Sequence, residues 1–224
     1  MSRIRWFLAD VETTGTSPDD KVCEVAWHEI DEAFNTLNSG YSLINPQRHI
    51  PHGASAVNGI VDSMVRDAPT LDEYMREFEY PLLGADVIMV AHNAAFDFRY
   101  LSPYMDDNAK TLCTLRCARV IYPDADNHKQ GTLAYYLGLN LDREKAHSAD
   151  GDLDVLLQLV QRMCADLDCT ISDLLKVQDM PRKIEKMPFG KHKGMSLKSL
   201  PKEYVTWLLK LDNLDADLRA ALRS

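Results

Sequence analysis

Five side chains, far apart in the chain, make chemical sense only when taken together. Asp10 and Glu12 stand two positions apart in DVETTG (10–15), so on a strand both carboxylates project to one face. Asp97 closes HNAAFD (92–97), just after the apolar run 87–91. That spacing puts it in the first turn of a helix beyond a strand's carboxyl end, where ligand sites of open α/β sheets gather. Asp152 closes HSADGD (147–152) at the head of the longest amphipathic pattern, with His147 in the preceding loop. Singly, each acid fits a solvated strand end or a carboxylate favoured by a helix dipole. Jointly they form a set of hard oxygen donors suited to Mg²⁺ or Mn²⁺ rather than zinc. Carboxylates sharing a pocket repel unless a cation lies between them. Two such ions about 3.5–4 Å apart can activate a water and stabilise both oxygens of an in-line phosphoryl displacement.

The elements that must position these groups are legible in the hydrophobic periodicity. Residues 3–10 predict a largely buried strand that ends at Asp10; 22–30 and 34–44 predict two more. The continuous apolar run 87–91 predicts a central strand, and 111–113 a short one. Helices are expected over 71–83, 95–105, from 114 to before Pro123, over 132–137, and over 150–167. Strands first, then helices interleaved with further strands, predict an α/β fold around a mixed sheet.

Composition narrows the classes. The chain has 224 residues, 46% of them hydrophobic, which is enough material for a buried core. No run approaches 18 consecutive apolar residues, so no membrane partner is expected. Five cysteines, an odd number at spacings unlike a zinc site, suit reduced thiols in a cytoplasmic protein. The formal charge of −9 divides unevenly. Residues 181–224 carry 10 basic against 5 acidic side chains, net +5, while 1–180 carry 15 against 29, net −14. An acidic body with a basic appendage suits carboxylates held near metal ions and a separate part that attracts a polyanion.

DVETTG, HNAAFD and HSADGD, in that order, resemble the three exonuclease motifs of the DnaQ-like DEDDh 3′→5′ exonuclease superfamily, over roughly residues 4–165. The resemblance implies a ribonuclease H-like fold, a five-stranded mixed sheet flanked by helices. It implies that Asp10, Glu12, Asp97 and Asp152 bind two divalent ions, Mg²⁺ or Mn²⁺, and that His147 is the general base on the attacking water. An unperturbed histidine titrates near about 6.5, which suits that task. Residues 54–69 resemble the family segment that approaches the terminal nucleotide. Asn58 stands where the family often has histidine, and Thr16 where it often has leucine. Substrate contacts are expected from Thr13, Thr14, Gly15, Asn58, His92, Asn93 and Phe96, with His92 and Asn93 shaping the turn or the cleft.

The tail, 187–209, resembles the small C-terminal module of the exodeoxyribonuclease X group. The two glycines of PFGKHKG suggest a tight hairpin turn, packed on one or two helices with Trp207 anchoring the core. Lys191, Lys193, Lys198 and Lys202 are candidate contacts to DNA phosphates. The expected organisation is an exonuclease domain over 1–177, a linker over 178–187 and a basic module over 188–224. The implied partner is a DNA 3′ end, most simply single-stranded, and the implied activity is release of nucleoside 5′-monophosphates. A polymerase proofreading subunit, an RNA-trimming enzyme and an inactive nucleic-acid-binding scaffold are the rival readings.

Overall fold

The computed structural model describes residues 4–77, 86–141, 148–212 and 214–223. The elements run β1 (Arg5–Thr13), β2 (Val22–Ile30), β3 (Thr36–Leu43), α1 (His52–Asn58), α2 (Asp62–Val65), α3 (Leu71–Glu77) and β4 (Val87–Ala91). They continue with α4 (Ala95–Leu101), β5 (Lys110–Cys113), α5 (Thr114–Ile121), α6 (Gln130–Leu137), α7 (Ala149–Leu167), α8 (Ile171–Val177), α9 (Lys202–Leu208) and α10 (Ala216–Ala221). Two compact units divide the chain, Met1–Gln178 and Asp179–Ser224.

In the first unit the strands form one mixed sheet in the order β3-β2-β1-β4-β5. β1, β2 and β3 pair antiparallel, while β4 and β5 run parallel to β1. The pleat sends alternate residues of β1 to opposite cores. Trp6 and Leu8 join the core built with Leu153, Leu156, Leu159 and Val160 of α7. Phe7, Ala9 and Val11 join the other, with Tyr74 and Met75 of α3 and Leu101 of α4. This is the expected architecture.

Several boundaries differ from expectation. β1 does not stop at Asp10: β2 pairs with it through Thr13, so both acids lie inside the strand. α4 ends at Leu101 and gives way to a 3₁₀ turn at Ser102–Tyr104, where Pro103 cannot supply the backbone N–H that a continuing helix needs. α3 is described to Glu77, and the last residues of the helix expected over 71–83 lie outside the described residues. α8 was not expected; a capping box between Thr170 and Asp173 starts it.

The second unit has its own small core of Met187, Leu200, Leu208, Leu214 and Leu218. The expected hairpin is reduced to one antiparallel bridge, Lys186 to Ser196, closed over a 3₁₀ turn at Gly190–His192. Trp207 does not anchor this core: it is 52% exposed, and Leu208 beside it is buried instead. Residues 178–187 are engaged at both ends. Gln178 accepts a hydrogen bond from the Cys113 N–H (2.9 Å) and donates to the Thr111 carbonyl (3.0 Å), while Met187 is buried in the second core.

All five cysteines are free thiols. Among the described residues, no helix is long and apolar enough to cross a membrane.

Gly40 of β3 lies directly opposite Trp27, and a Cβ there would stand 2.5 Å from the indole. Gly40→Val should therefore lower unfolding free energy by about 1–3 kcal/mol through overpacking. Urea unfolding measures this, and an unchanged midpoint would contradict the close approach.

Candidate functional site

β1 continues past its apolar residues, so Asp10 and Glu12 extend the face of Trp6 and Leu8 toward α7. The N-terminus of α7 brings Asp152 to them. Ser148 caps that helix, its hydroxyl accepting from the Gly151 N–H at 3.2 Å. Asp10, Glu12 and Asp152 can each offer a carboxylate oxygen, all within 4.8 Å of one another. Asp97 arrives from the first turn of α4 and is 2% exposed. One of its oxygens accepts the Val11 N–H at 3.2 Å, which ties α4 to the carboxyl-terminal part of β1.

The electrostatics are those of a crowded acid cluster. Burial, followed by the charges of Asp97, Asp152, Glu12 and Glu24, holds the Asp10 carboxyl well above its usual range. Burial, with Asp152 and Glu24, pushes Glu12 up to about 7, against a hydrogen bond from Asn58 that favours its charge. Burial also raises Asp97, against two backbone N–H groups that hold its charged form. Asp10, Glu12 and Asp152 form an all-oxygen donor set with no cysteine or described histidine among them, which fits a hard divalent cation.

Glu24 is a member of this cluster that sequence reasoning missed. It stands directly opposite Glu12 in the β1–β2 ladder and is 3% exposed. Its two oxygens accept from the Tyr41 hydroxyl and from the Ala149 N–H, each at 2.7 Å. It thus holds the first backbone donor of the helix that carries Asp152. A charged residue inside the apolar run 22–30 was the available signal, but only the register shows which carboxylates it faces.

The neighbouring candidates have distinct placements. Thr13 and Thr14 are buried, and their hydroxyls are engaged locally, with the Gly15 carbonyl (2.6 Å) and Asp20 (2.9 Å). At Gly15 a Cβ would stand 2.5 Å from the Asp20 carboxylate, so the turn closes only around glycine. The Asn58 amide donates to the Thr13 carbonyl at 3.3 Å. His92 has both ring nitrogens engaged, at 2.9 Å from the Thr114 hydroxyl and 2.7 Å from the His128 carbonyl, and burial lowers its pKa to about 4. Asn93 takes a left-handed φ of 76° and is exposed at the turn into α4. Phe96 packs edge-on against Tyr100 at 5.6 Å, with the Arg99 guanidinium over its ring. His147 lies outside the described residues, one position before the α7 cap.

The family of RNase T type described as Exonuclease matches residues 7–160. A second family, described as "Putative quorum-sensing-regulated virulence factor", matches residues 178–213. The chain is 31% identical over 160 residues to a DNA polymerase III subunit epsilon-like protein of Rhodobacter capsulatus, covering 68% of this chain and 22% of that protein. It therefore spans about a fifth of the length of that relative. It is 28% identical over 163 residues to the DNA polymerase III subunit epsilon of Treponema pallidum, covering 70% of this chain and 74% of that one. Among solved structures, Exonuclease X in complex with 5′ overhanging duplex DNA superposes with a TM-score of 0.63 at 22% identity, covering 77% of this chain and 99% of that one.

Two outcomes are expected from this geometry. Glu24→Ala leaves the Ala149 N–H without its acceptor and should cost about 1–3 kcal/mol in urea unfolding. Glu24→Gln keeps an acceptor and removes a like charge, so it should match or exceed the native stability; equal losses in both variants would contradict the capping role. The raised Glu12 pKa also has a definite sign. Folding takes up a proton between its ordinary 4.5 and about 7, so its contribution is fully present below 4.5 and is lost as pH rises through 7. In EDTA the melting temperature should fall from pH 5 to pH 8, and Mg²⁺ should restore it most at pH 8. A metal effect larger at pH 5 would contradict the assignment.

Proposed function

The chain belongs to the RNase T-type exonuclease family, and on that premise we propose that it is a metal-dependent 3′→5′ exodeoxyribonuclease releasing nucleoside 5′-monophosphates from DNA 3′ ends. The observation that carries this reading is the convergence of Asp10, Glu12 and Asp152, with buried Asp97 beside them. Asp10, Glu12, Asp97 and Asp152 would hold divalent cations, two of Mg²⁺ or Mn²⁺. When bound, these supply positive charge that offsets the acids, polarises the scissile phosphate and lowers the pKa of water.

The chain's own residues do the rest. Burial of the carboxylates keeps bulk water from screening their charge. Glu24 and Ser148 fix the α7 N-terminus, and with it the position of Asp152. In the proposed mechanism the His147 imidazole takes the proton of the attacking water, and the 3′-oxygen of the penultimate nucleotide leaves in line. The Thr13–Gly15 turn, braced by Asn58 and Asp20, would receive the terminal nucleotide. Val57, Val61 and Met64 are exposed on the adjoining segment and would offer the base an apolar wall. His92, with its nitrogens engaged, shapes the turn carrying Asn93 and Phe96. Residues 1–177 would form the catalytic domain and 188–224 a separate module that brings DNA to it.

A polymerase proofreading subunit is a second reading, favoured by the names of the Rhodobacter and Treponema relatives. Co-purification with a polymerase core would support it over a free-standing enzyme.

The test is digestion of a 5′-labelled DNA strand. Mg²⁺ should produce a ladder shortening from the 3′ end, and EDTA should stop it. Asp10→Ala and Asp152→Ala should each reduce the rate by at least about a hundredfold while far-ultraviolet circular dichroism is retained. Full activity in metal-free buffer, or in either variant, would contradict the proposal.

A further inference from the structure

The exposure of Trp207 carries a consequence for the second unit. The chain has three tryptophans. Trp6 and Trp27 are at most 2% exposed, whereas Trp207 is 52% exposed. It is not isolated. Tyr204, one turn earlier on α9, stacks on it with centroids 5.5 Å apart and planes 30° apart, and the His192 ring meets Tyr204 at 4.5 Å. Phe189 and Met195, exposed at 43% and 40%, lie on either side of His192 in the chain. Leu208, the next residue of α9, enters the core, while Trp207 is turned outward.

Charge identifies the occupant. Lys191 and Lys193 flank His192, Lys202 opens α9, and Lys210 follows it; all four are exposed. Among the described residues, none of the four has a carboxylate within ion-pair distance, whereas Arg182 pairs with Asp215 and Asp217, and Lys183 with Glu185. The exposed rings stand among lysines that have no carboxylate partner among the described residues, so the charge of this face suits a polyanion. Flat rings among lysines match bases and phosphates instead.

We propose that His192, Tyr204 and Trp207, with Lys191, Lys193 and Lys202 around them, form a stacking platform for the unpaired bases of single-stranded DNA. The inference rests on the nuclease reading only for the choice of DNA as the strand. The platform accepts any sequence, because every base has a π-face. Duplex DNA, whose bases are already stacked and paired, is excluded from it. Its role would be to hold a frayed or overhanging strand by contacts that do not pass through the carboxylate cluster.

The experiment titrates the full chain, in EDTA, into 5′-fluorescein-labelled oligothymidylate and reads fluorescence anisotropy, a signal that does not depend on the protein's own tryptophans. Binding should raise the anisotropy, and Trp207→Ala should weaken the affinity by about tenfold. Trp207→Phe should stay within about threefold of the native protein, because it keeps a ring that can stack. Lys191→Ala with Lys193→Ala should lower the slope of log Kd against log salt by about 0.7 per lysine. Hydrolysis of thymidine 5′-p-nitrophenyl phosphate with Mg²⁺, which needs no second nucleotide, should be unchanged in every one of these variants. Equal binding by Trp207→Ala overturns the platform, as does equal, Trp207-dependent binding of a blunt duplex, or Trp207-dependent self-association without DNA binding. If the ester and DNA both resist hydrolysis while Trp207 still governs binding, the platform stands and the nuclease reading fails.

Discussion

Repulsion among buried carboxylates is the constraint on which this structure turns. Asp10, Glu12, Asp97 and Asp152 are drawn toward one end of the sheet, and Glu24 adds a fifth acid from the next strand. Like charges directly opposite on a ladder, as at Glu12 and Glu24, oppose the pairing that places them. The fold supports the arrangement with apolar packing elsewhere. Trp6 and Leu8 continue the same face of β1 into the α7 core, and α7 itself buries Leu153, Leu156, Leu159, Val160 and Met163. The stability of that packing holds the acids close enough for a cation to become their natural counter-charge.

The convergence of Asp10, Glu12 and Asp152, with Asp97 nearby, was readable before the fold because these residues sit at positions that local pattern defines. A D-x-E pair on a strand shares a face, and an acid following an apolar run falls at a helix start. Both inferences need only periodicity. The extent of β1 was not readable, because acids disfavour strands by propensity and only pairing with β2 carries the strand through Thr13. Glu24 was missed for a related reason: its significance lies in register and in the Ala149 N–H, more than a hundred residues away. Trp207 was misassigned because helical spacing defines a stripe but not its edges. With Leu208 next to it, the shorter side chain took the core and the aromatic faced outward.

The two units differ in charge. Residues 1–180, of net −14, repel a polyanion except where a cation offsets that charge. Residues 181–224 carry a net charge of +5, and within them Arg182 pairs with Asp215 and Asp217 and Lys183 with Glu185, while Lys191, Lys193, Lys202 and Lys210 are exposed. Each part of the chain has a core of its own.

The most direct measurement is an anomalous difference map from crystals grown with Mn²⁺. The account requires density bridging the carboxylates of Asp10, Glu12 and Asp152, with the Asp97 side chain adjacent. Crystals that take up manganese elsewhere, or none, with these acids separated and unliganded, would contradict it.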